Sequence, residues 1–149
     1  MTRSIEIMDT TLRDGEQTSG VSYSPKEKLT IAKLLLEELK VDRIEVASAR
    51  VSDGELSSVK GITTWAKENN HLKKIEVLTF IDNNKSIEWM LESGCRVQNL
   101  LTKGSLNHLE HQLKKTPREH FEDISKIIQS AEKNSIETNI YLEDWSNGM

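Results

Sequence analysis

Cysteine is almost missing from this sequence: Cys95 is the only one in 149 residues. A lone thiol cannot form an internal disulfide, which excludes a disulfide-stapled scaffold and fits a reducing compartment. Long apolar runs are missing too. Nothing approaches the ~20 residues needed to span a bilayer, and the opening MTRSIEIMDTT lacks the apolar core of a secretory signal. The expectation is a cytoplasmic protein with no membrane partner. There is no basic excess either. The formal net charge is −4, and Lys73-Lys74 and Lys114-Lys115 are isolated pairs. A nucleic-acid partner, which normally leaves a basic footprint, is therefore not expected. Low-complexity segments and linkers are absent, so residues 1–149 read as one domain or part of one.

What is present is enough for a core: 36% of residues are hydrophobic and 30% charged. Short apolar runs alternate with longer amphipathic ones. Ile5–Met8 reads as a first strand, followed by Asp9-Thr10-Thr11. Ser24, Pro25 and Glu27 spell a capping box with proline at the first helical position, and Leu29, Ala32, Leu36 and Leu39 give that helix an apolar face. Arg43–Ala47 reads as a second strand; Leu56, Val59, Ile62 and Ala66 mark a second helix. Ile75–Ile81 is a third strand and Ser86–Ser93 a third helix, with Gly94 as its stop. Val97–Thr102 is a fourth strand. Thr116, Pro117 and Glu119 repeat the capping pattern ahead of Phe121, Ile124, Ile127 or Ile128, and Ala131, and Ile136–Leu142 is a fifth strand.

Connections of this length imply parallel strands with helical crossovers, hence an α/β fold. Two architectures fit: an open doubly wound sheet, or an eight-fold β/α barrel cut near its middle. No glycine-rich phosphate loop follows the first strand. Arg13-Asp14-Gly15-Glu16-Gln17 stands there instead, which weakens a nucleotide-binding reading.

In a barrel the chemistry lies at the C-terminal strand ends. Those ends offer Asp9, Arg13 and Asp14; Glu45; Thr79; Asn99 and Thr102; and Tyr141, Glu143 and Asp144. Each has a plainer reading. Asp14-Gly15 is often a simple turn, Glu45 can be an edge-strand charge, and Glu143-Asp144 a solvated loop. A buried parallel strand, however, tolerates a charge only when it is paired or liganded. His108 and His111 are expected on a helix surface, as are His71 and His120. Cys95 is expected to pack as a small apolar residue.

Leu12-Arg13-Asp14-Gly15-Glu16-Gln17, with Lys28 further on, resembles the first signature of the 2-isopropylmalate, homocitrate and citramalate synthase family. Arg13, Asp14 and Glu45 also resemble positions of the wider group that contains hydroxymethylglutaryl-CoA lyase. NLLTKGSL (Asn99–Leu106) and YLEDWSNG (Tyr141–Gly148) are closest to the citramalate synthase branch. The resemblance implies a (βα)8 TIM barrel, of which this chain holds about four βα units and the fifth strand. It implies a metal-dependent Claisen-type condensation of acetyl-CoA with a 2-keto acid, in branched-chain amino-acid biosynthesis.

On that resemblance, Asp14 is a ligand to Mg²⁺, Mn²⁺ or Zn²⁺. Arg13 stabilises the developing oxyanion, and Glu45 orients Arg13 or the metal shell. Glu143 is the expected base, raised by desolvation beside an aromatic. Leu78, Leu101 and Tyr141 form a tight apolar wall suited to the methyl of pyruvate. The nearest rival is 2-isopropylmalate synthesis from 2-ketoisovalerate. A different class of reading is an inactive barrel fragment that serves only in assembly. The family's remaining metal ligands, a His-x-His pair and a further polar group, would lie outside this chain. The full-length form would be a homodimer. An unclosed half-barrel on its own should expose sheet edges and be unstable or oligomerise.

Overall fold

The computed structural model describes residues 5–148. Two capping boxes start its longest crossovers. Ser24 accepts the Glu27 N–H and Thr116 accepts the Glu119 N–H, with Pro25 and Pro117 at the first helical turn. The helices are α1 (Pro25–Lys33), α2 (Asp53–Glu68), α3 (Lys85–Ser93), α4 (Leu106–His108) and α5 (Pro117–Lys133). Gly94 ends α3 at φ 80°, where the left-handed backbone favours glycine.

The strands are β1 (Met8–Asp9), β2 (Arg43–Ser48), β3 (Ile75–Thr79), β4 (Val97–Lys103) and β5 (Glu137–Glu143), in one sheet ordered β1-β2-β3-β4-β5. Every neighbouring pair is parallel. This order decides between the two architectures. A doubly wound sheet reverses its strand order at a switch point; a barrel adds each strand beside the last. The sheet also curls. The Tyr141 hydroxyl on β5 reaches Met8 Sδ on β1 at 3.4 Å. The fold is half of a β/α barrel, with helices on the convex side and a concave lumen.

Ile44, Val46, Val77 and Leu100 of the sheet pack against Ala32, Ile62, Ala66, Met90 and Ile127 of the helices. Fully burying one such aliphatic side chain is worth about 1.5–3 kcal/mol. No helix among the described residues is long and apolar enough to cross a membrane.

Several expectations shift. The first strand is Met8–Asp9 rather than Ile5–Met8; Ile5 and Ile7 are exposed. Among the described residues β1 has a single neighbour and is laddered where it faces Arg43 and Ile44. Leu39, placed on the buried face of the first helix, is exposed, and Leu35 is buried instead. The cause is a π-type turn over Leu34–Glu38, in which the Leu39 N–H bonds the Leu34 carbonyl. The extra residue rotates everything after it out of phase. Phe121 is likewise exposed, because the buried stripe of α5 is His120, Ile124, Ile127 and Ala131. His120 is thus not on the surface: it is only 2% exposed, and its Nε2 accepts the Lys103 N–H at 3.2 Å. Burial holds its pKa below the usual histidine value, so the ring is a neutral acceptor. His71 is half-buried and packs against Trp65.

Cys95 is fully buried, its thiol directed at the Ile75 carbonyl at 3.2 Å. Burial pushes its pKa up to about 11. At about pH 8 it should remain a thiol and resist Ellman's reagent until the protein is denatured. Full labelling of the native protein within minutes would show that this part of the core is open.

Candidate active site at the C-terminal strand ends

The chain after β1 folds into a tight turn. The Thr10 carbonyl accepts the N–H groups of Arg13, Asp14 and Gly15 at 3.1, 2.8 and 3.2 Å, while the Asp9 carboxylate takes the Thr11 N–H and hydroxyl. A 3-10 turn over Gly15–Gln17 follows. This turn sends Arg13 into the lumen, where its Nε donates to Glu45 Oε2 and its Nη1 to Asp14 Oδ1.

Glu45 is 0% exposed. It is therefore not an edge-strand charge. Its second oxygen accepts Asn99 Nδ2 at 2.7 Å, and Asn99 Oδ1 accepts Asn139 Nδ2 at 3.0 Å. Asp14, Arg13, Glu45, Asn99 and Asn139 thus form one hydrogen-bonded relay from the β1 loop across β2 and β4 to β5. Its buried members specify one arrangement because each partner satisfies the next.

A second network locks the same loop from below. Lys28 on α1 is 1% exposed, and its ammonium lies 2.5 Å from both Glu16 and Glu55. The other Glu16 oxygen accepts the Tyr23 N–H at 3.0 Å. Above this triad a cavity of about 390 Å³ opens, lined by Arg13, Glu16, Gln17, Ser48 and Glu55 among others.

Leu78, Leu101 and Tyr141 share the lumen face. Leu78 is in register with Asn99, and Leu101 with Tyr141. Alternation along a strand puts Leu101 on the same side as Asn99, two residues back. Burial, followed by the nearby Glu45 and Glu76 carboxylates, raises the Tyr141 pKa, so it stays a neutral phenol. Thr79 and Thr102 turn the other way. Thr79 donates to Gln98 and Thr102 to the Tyr141 carbonyl; neither faces the lumen.

Glu143 stands at the end of β5 opposite Lys103, its register partner, and the two are ion-paired. The Glu143 side chain is 44% exposed rather than shielded beside the aromatic. Asp144 adopts a left-handed conformation at φ 63° and accepts the Ser105 hydroxyl at 2.6 Å. That bond, then one from Asn147, holds its pKa below the usual aspartate value.

Sequence reasoning gave no role to Asn99 and did not single out Asn139, Lys103 or Glu76. The signal was there for Asn99 and Glu76. Polar residues inside otherwise apolar parallel strands need partners. Burial raises the Glu76 pKa, and Arg43 is its ion-pair partner at 3.1 Å.

Asp14 is an exposed carboxylate at the lumen mouth with an oxygen left over. Its side chain is 61% exposed, and Arg13 occupies only its Oδ1 among the described residues. That donor fits an oxygen-seeking ion. No group of three or more His, Cys, Asp or Glu among the described residues is placed to complete a metal site. Substrate oxygens, water or other residues would have to supply the rest.

A half-barrel with an Arg-Asp pair buttressed at its mouth defines the class: a partial β/α-barrel with a polar cluster at the C-terminal ends of its strands. The chain belongs to the HMGL-like family, which matches residues 4–148. It is 36% identical over 140 residues to the (R)-citramalate synthase CimA of Methanocaldococcus jannaschii, covering 94% of this chain and 27% of that protein. It is 30% identical over 142 residues to 2-isopropylmalate synthase 2 of Caldanaerobacter subterraneus subsp. tengcongensis, covering 95% and 35%. The chain therefore spans about a quarter to a third of these relatives' length. In fold it is similar to hydroxymethylglutaryl-CoA lyase from Pseudomonas aeruginosa, with TM-score 0.69 and 17% identity over 93% of this chain and 45% of that one. The HMG-CoA lyase of Bacillus subtilis gives TM-score 0.61 at 20% identity, over 95% and 47%.

Proposed function

We propose that this chain is the N-terminal part of a barrel enzyme that joins acetyl-CoA to a 2-keto acid, with pyruvate as the acid and citramalate as the product. The observation that carries the reading is the Arg13–Asp14 pair, held at the lumen mouth by the relay of buried Glu45 and Asn99 with half-buried Asn139.

Asp14 would hold a divalent cation, which when bound supplies Lewis-acid polarisation of the keto-acid carbonyl. Arg13 presents a guanidinium fixed by two carboxylates, a preorganised donor for an oxygen that gains negative charge. Glu143 takes a methyl proton from acetyl-CoA. The methyl carbon then bonds to the keto carbon, the carbonyl electron pair moves to its oxygen, and that oxygen takes up a proton to become the product hydroxyl. Hydrolysis of the thioester frees CoA. Leu78, Leu101 and Tyr141 supply an apolar wall on the same face, which suits a methyl better than an isopropyl group. The relatives named citramalate synthase support this choice; those named 2-isopropylmalate synthase support 2-ketoisovalerate as the second reading. A homodimer belongs to the same proposal.

The test is release of free CoA by the full-length protein, offered pyruvate or 2-ketoisovalerate. Pyruvate should be preferred. Asp14→Ala should lose about 100-fold or more in kcat/KM, the equivalent of a few kcal/mol of transition-state stabilisation. Unchanged turnover in that variant would remove Asp14 from the metal site, and equal use of the two acids would sink the pocket argument.

A further inference from the structure

The loop after β4 and the loop after β5 are built as one clasp. The Gly104 N–H donates to the Glu143 carbonyl at 2.7 Å. The Ser105 hydroxyl donates to Asp144 Oδ2 at 2.6 Å, and His108 Nε2 lies 3.5 Å from the same oxygen. Gly148 lies so close to the first loop that a Cβ on it would fall 1.8 Å from the Gly104 carbonyl oxygen. A Cβ on Gly104 would meet Trp145 Cα at 3.0 Å and the Glu143 carbonyl oxygen at 3.2 Å. Both positions therefore require glycine for close backbone approach.

Lys103 sits at the centre of this clasp. Its backbone N–H is anchored on the buried His120 at 3.2 Å. Its side chain is only 17% exposed, although a lysine at a strand end would ordinarily extend into water. Its ammonium contacts Glu143. Backbone and side chain are thus both fixed, and the second fixation falls on the carboxylate.

We propose that Lys103 is a positioning residue for the Glu143 carboxylate, and that the Lys103–Ser105 segment sets the direction in which that carboxylate faces the lumen mouth. This rests on the reading of Glu143 as the base that takes the acetyl-CoA proton. Lys103 touches no substrate in this role. It acts through Glu143, by limiting the rotamers of an otherwise half-exposed side chain. A half-exposed glutamate without such a partner samples several staggered conformers, and misplacement of a reacting group by about 1 Å can cost on the order of 100-fold in rate.

The experiment compares K103M, K103Q, K103R and E143Q in the full-length protein, using CoA release with pyruvate and the isotope effect from methyl-deuterated acetyl-CoA. K103M and K103Q should lower kcat by about 10- to 100-fold while the KM for pyruvate stays within about two-fold. The isotope effect on kcat should rise, because proton removal becomes slower relative to other steps. K103R, which retains the cation, should recover most of the rate. E143Q should be inactive. If E143Q is inactive while K103M and K103Q match the wild type in kcat and isotope effect, the Lys103 proposal is overturned and the reading of Glu143 stands. If E143Q turns over normally, both fall. Equal losses in K103M, K103Q and K103R, with a lowered melting temperature and an unchanged isotope effect, would assign Lys103 to the fold alone and overturn the proposal as well.

Discussion

Replacing Lys28 with methionine should destabilise the protein by about 3 kcal/mol, because breaking a buried ion pair by removing one partner leaves uncompensated charge. Methionine matches lysine's length and fills the same space, so packing is largely kept. What is lost is the cation between Glu16 and Glu55, which lie 2.5 Å from it and are themselves mostly shielded from water. For a chain of this size that loss corresponds to a fall in melting temperature of roughly 6–12 °C. Glu16 belongs to the turn that carries Arg13 and Asp14, so the loop should loosen before the rest of the barrel does. Thermal unfolding followed by circular dichroism measures the first effect; amide exchange in residues 13–17 measures the second. A melting temperature within about 2 °C of the wild type, less than even 1 kcal/mol would shift it, would show that the triad is a bystander.

Glu45→Ala should cost about 3–5 kcal/mol, the range seen when a buried charge loses its partner. Arg13 Nε and Asn99 Nδ2 both lose their acceptor, and Asn99 is fully buried with Glu45. Glu45→Gln should cost less, about 1–2 kcal/mol, because one acceptor oxygen remains while the new amide faces another donor. Urea unfolding of the two variants gives the comparison. The double variant R13A/E45A should lose less than the sum of its single changes, since the residues are in direct contact. Additive losses, or an unchanged midpoint for Glu45→Ala, would contradict the relay.

Much of the fold was legible in the chain itself. Ser24-Pro25-Glu27 and Thr116-Pro117-Glu119 announced two helix starts, and both capping boxes are formed. Gly94 announced a helix end. These signals are local: a cap depends on residues three apart, and the backbone groups it satisfies belong to the same turn. Two of the corrections were of helical phase. Leu39 follows a π-type turn, and Phe121 lies one position off a stripe completed by His120. Hydrophobicity alone does not reveal either.

The candidate site divides in the same way. Arg13, Asp14 and Glu45 stood out as charges beside or within apolar strands, where burial demands a partner. Which partner each one takes joins residues far apart in the sequence: Glu45 with Asn99, Asn99 with Asn139, Lys28 with Glu55, Lys103 with Glu143. Those pairings depend on strand order and register, and an α/β alternation is compatible with more than one order. By itself, then, the sequence determined the element types, the helix ends, the family and the LRDGEQ turn. The family resemblance implied a β/α barrel; the tertiary structure showed the strands in consecutive order in a curled half-barrel and decided which distant side chains pair inside it. The reason is that capping and periodicity act within a few residues, whereas sheet curvature, ion-pair choice and the closeness of Gly104 to Gly148 arise only when distant segments share one packed space.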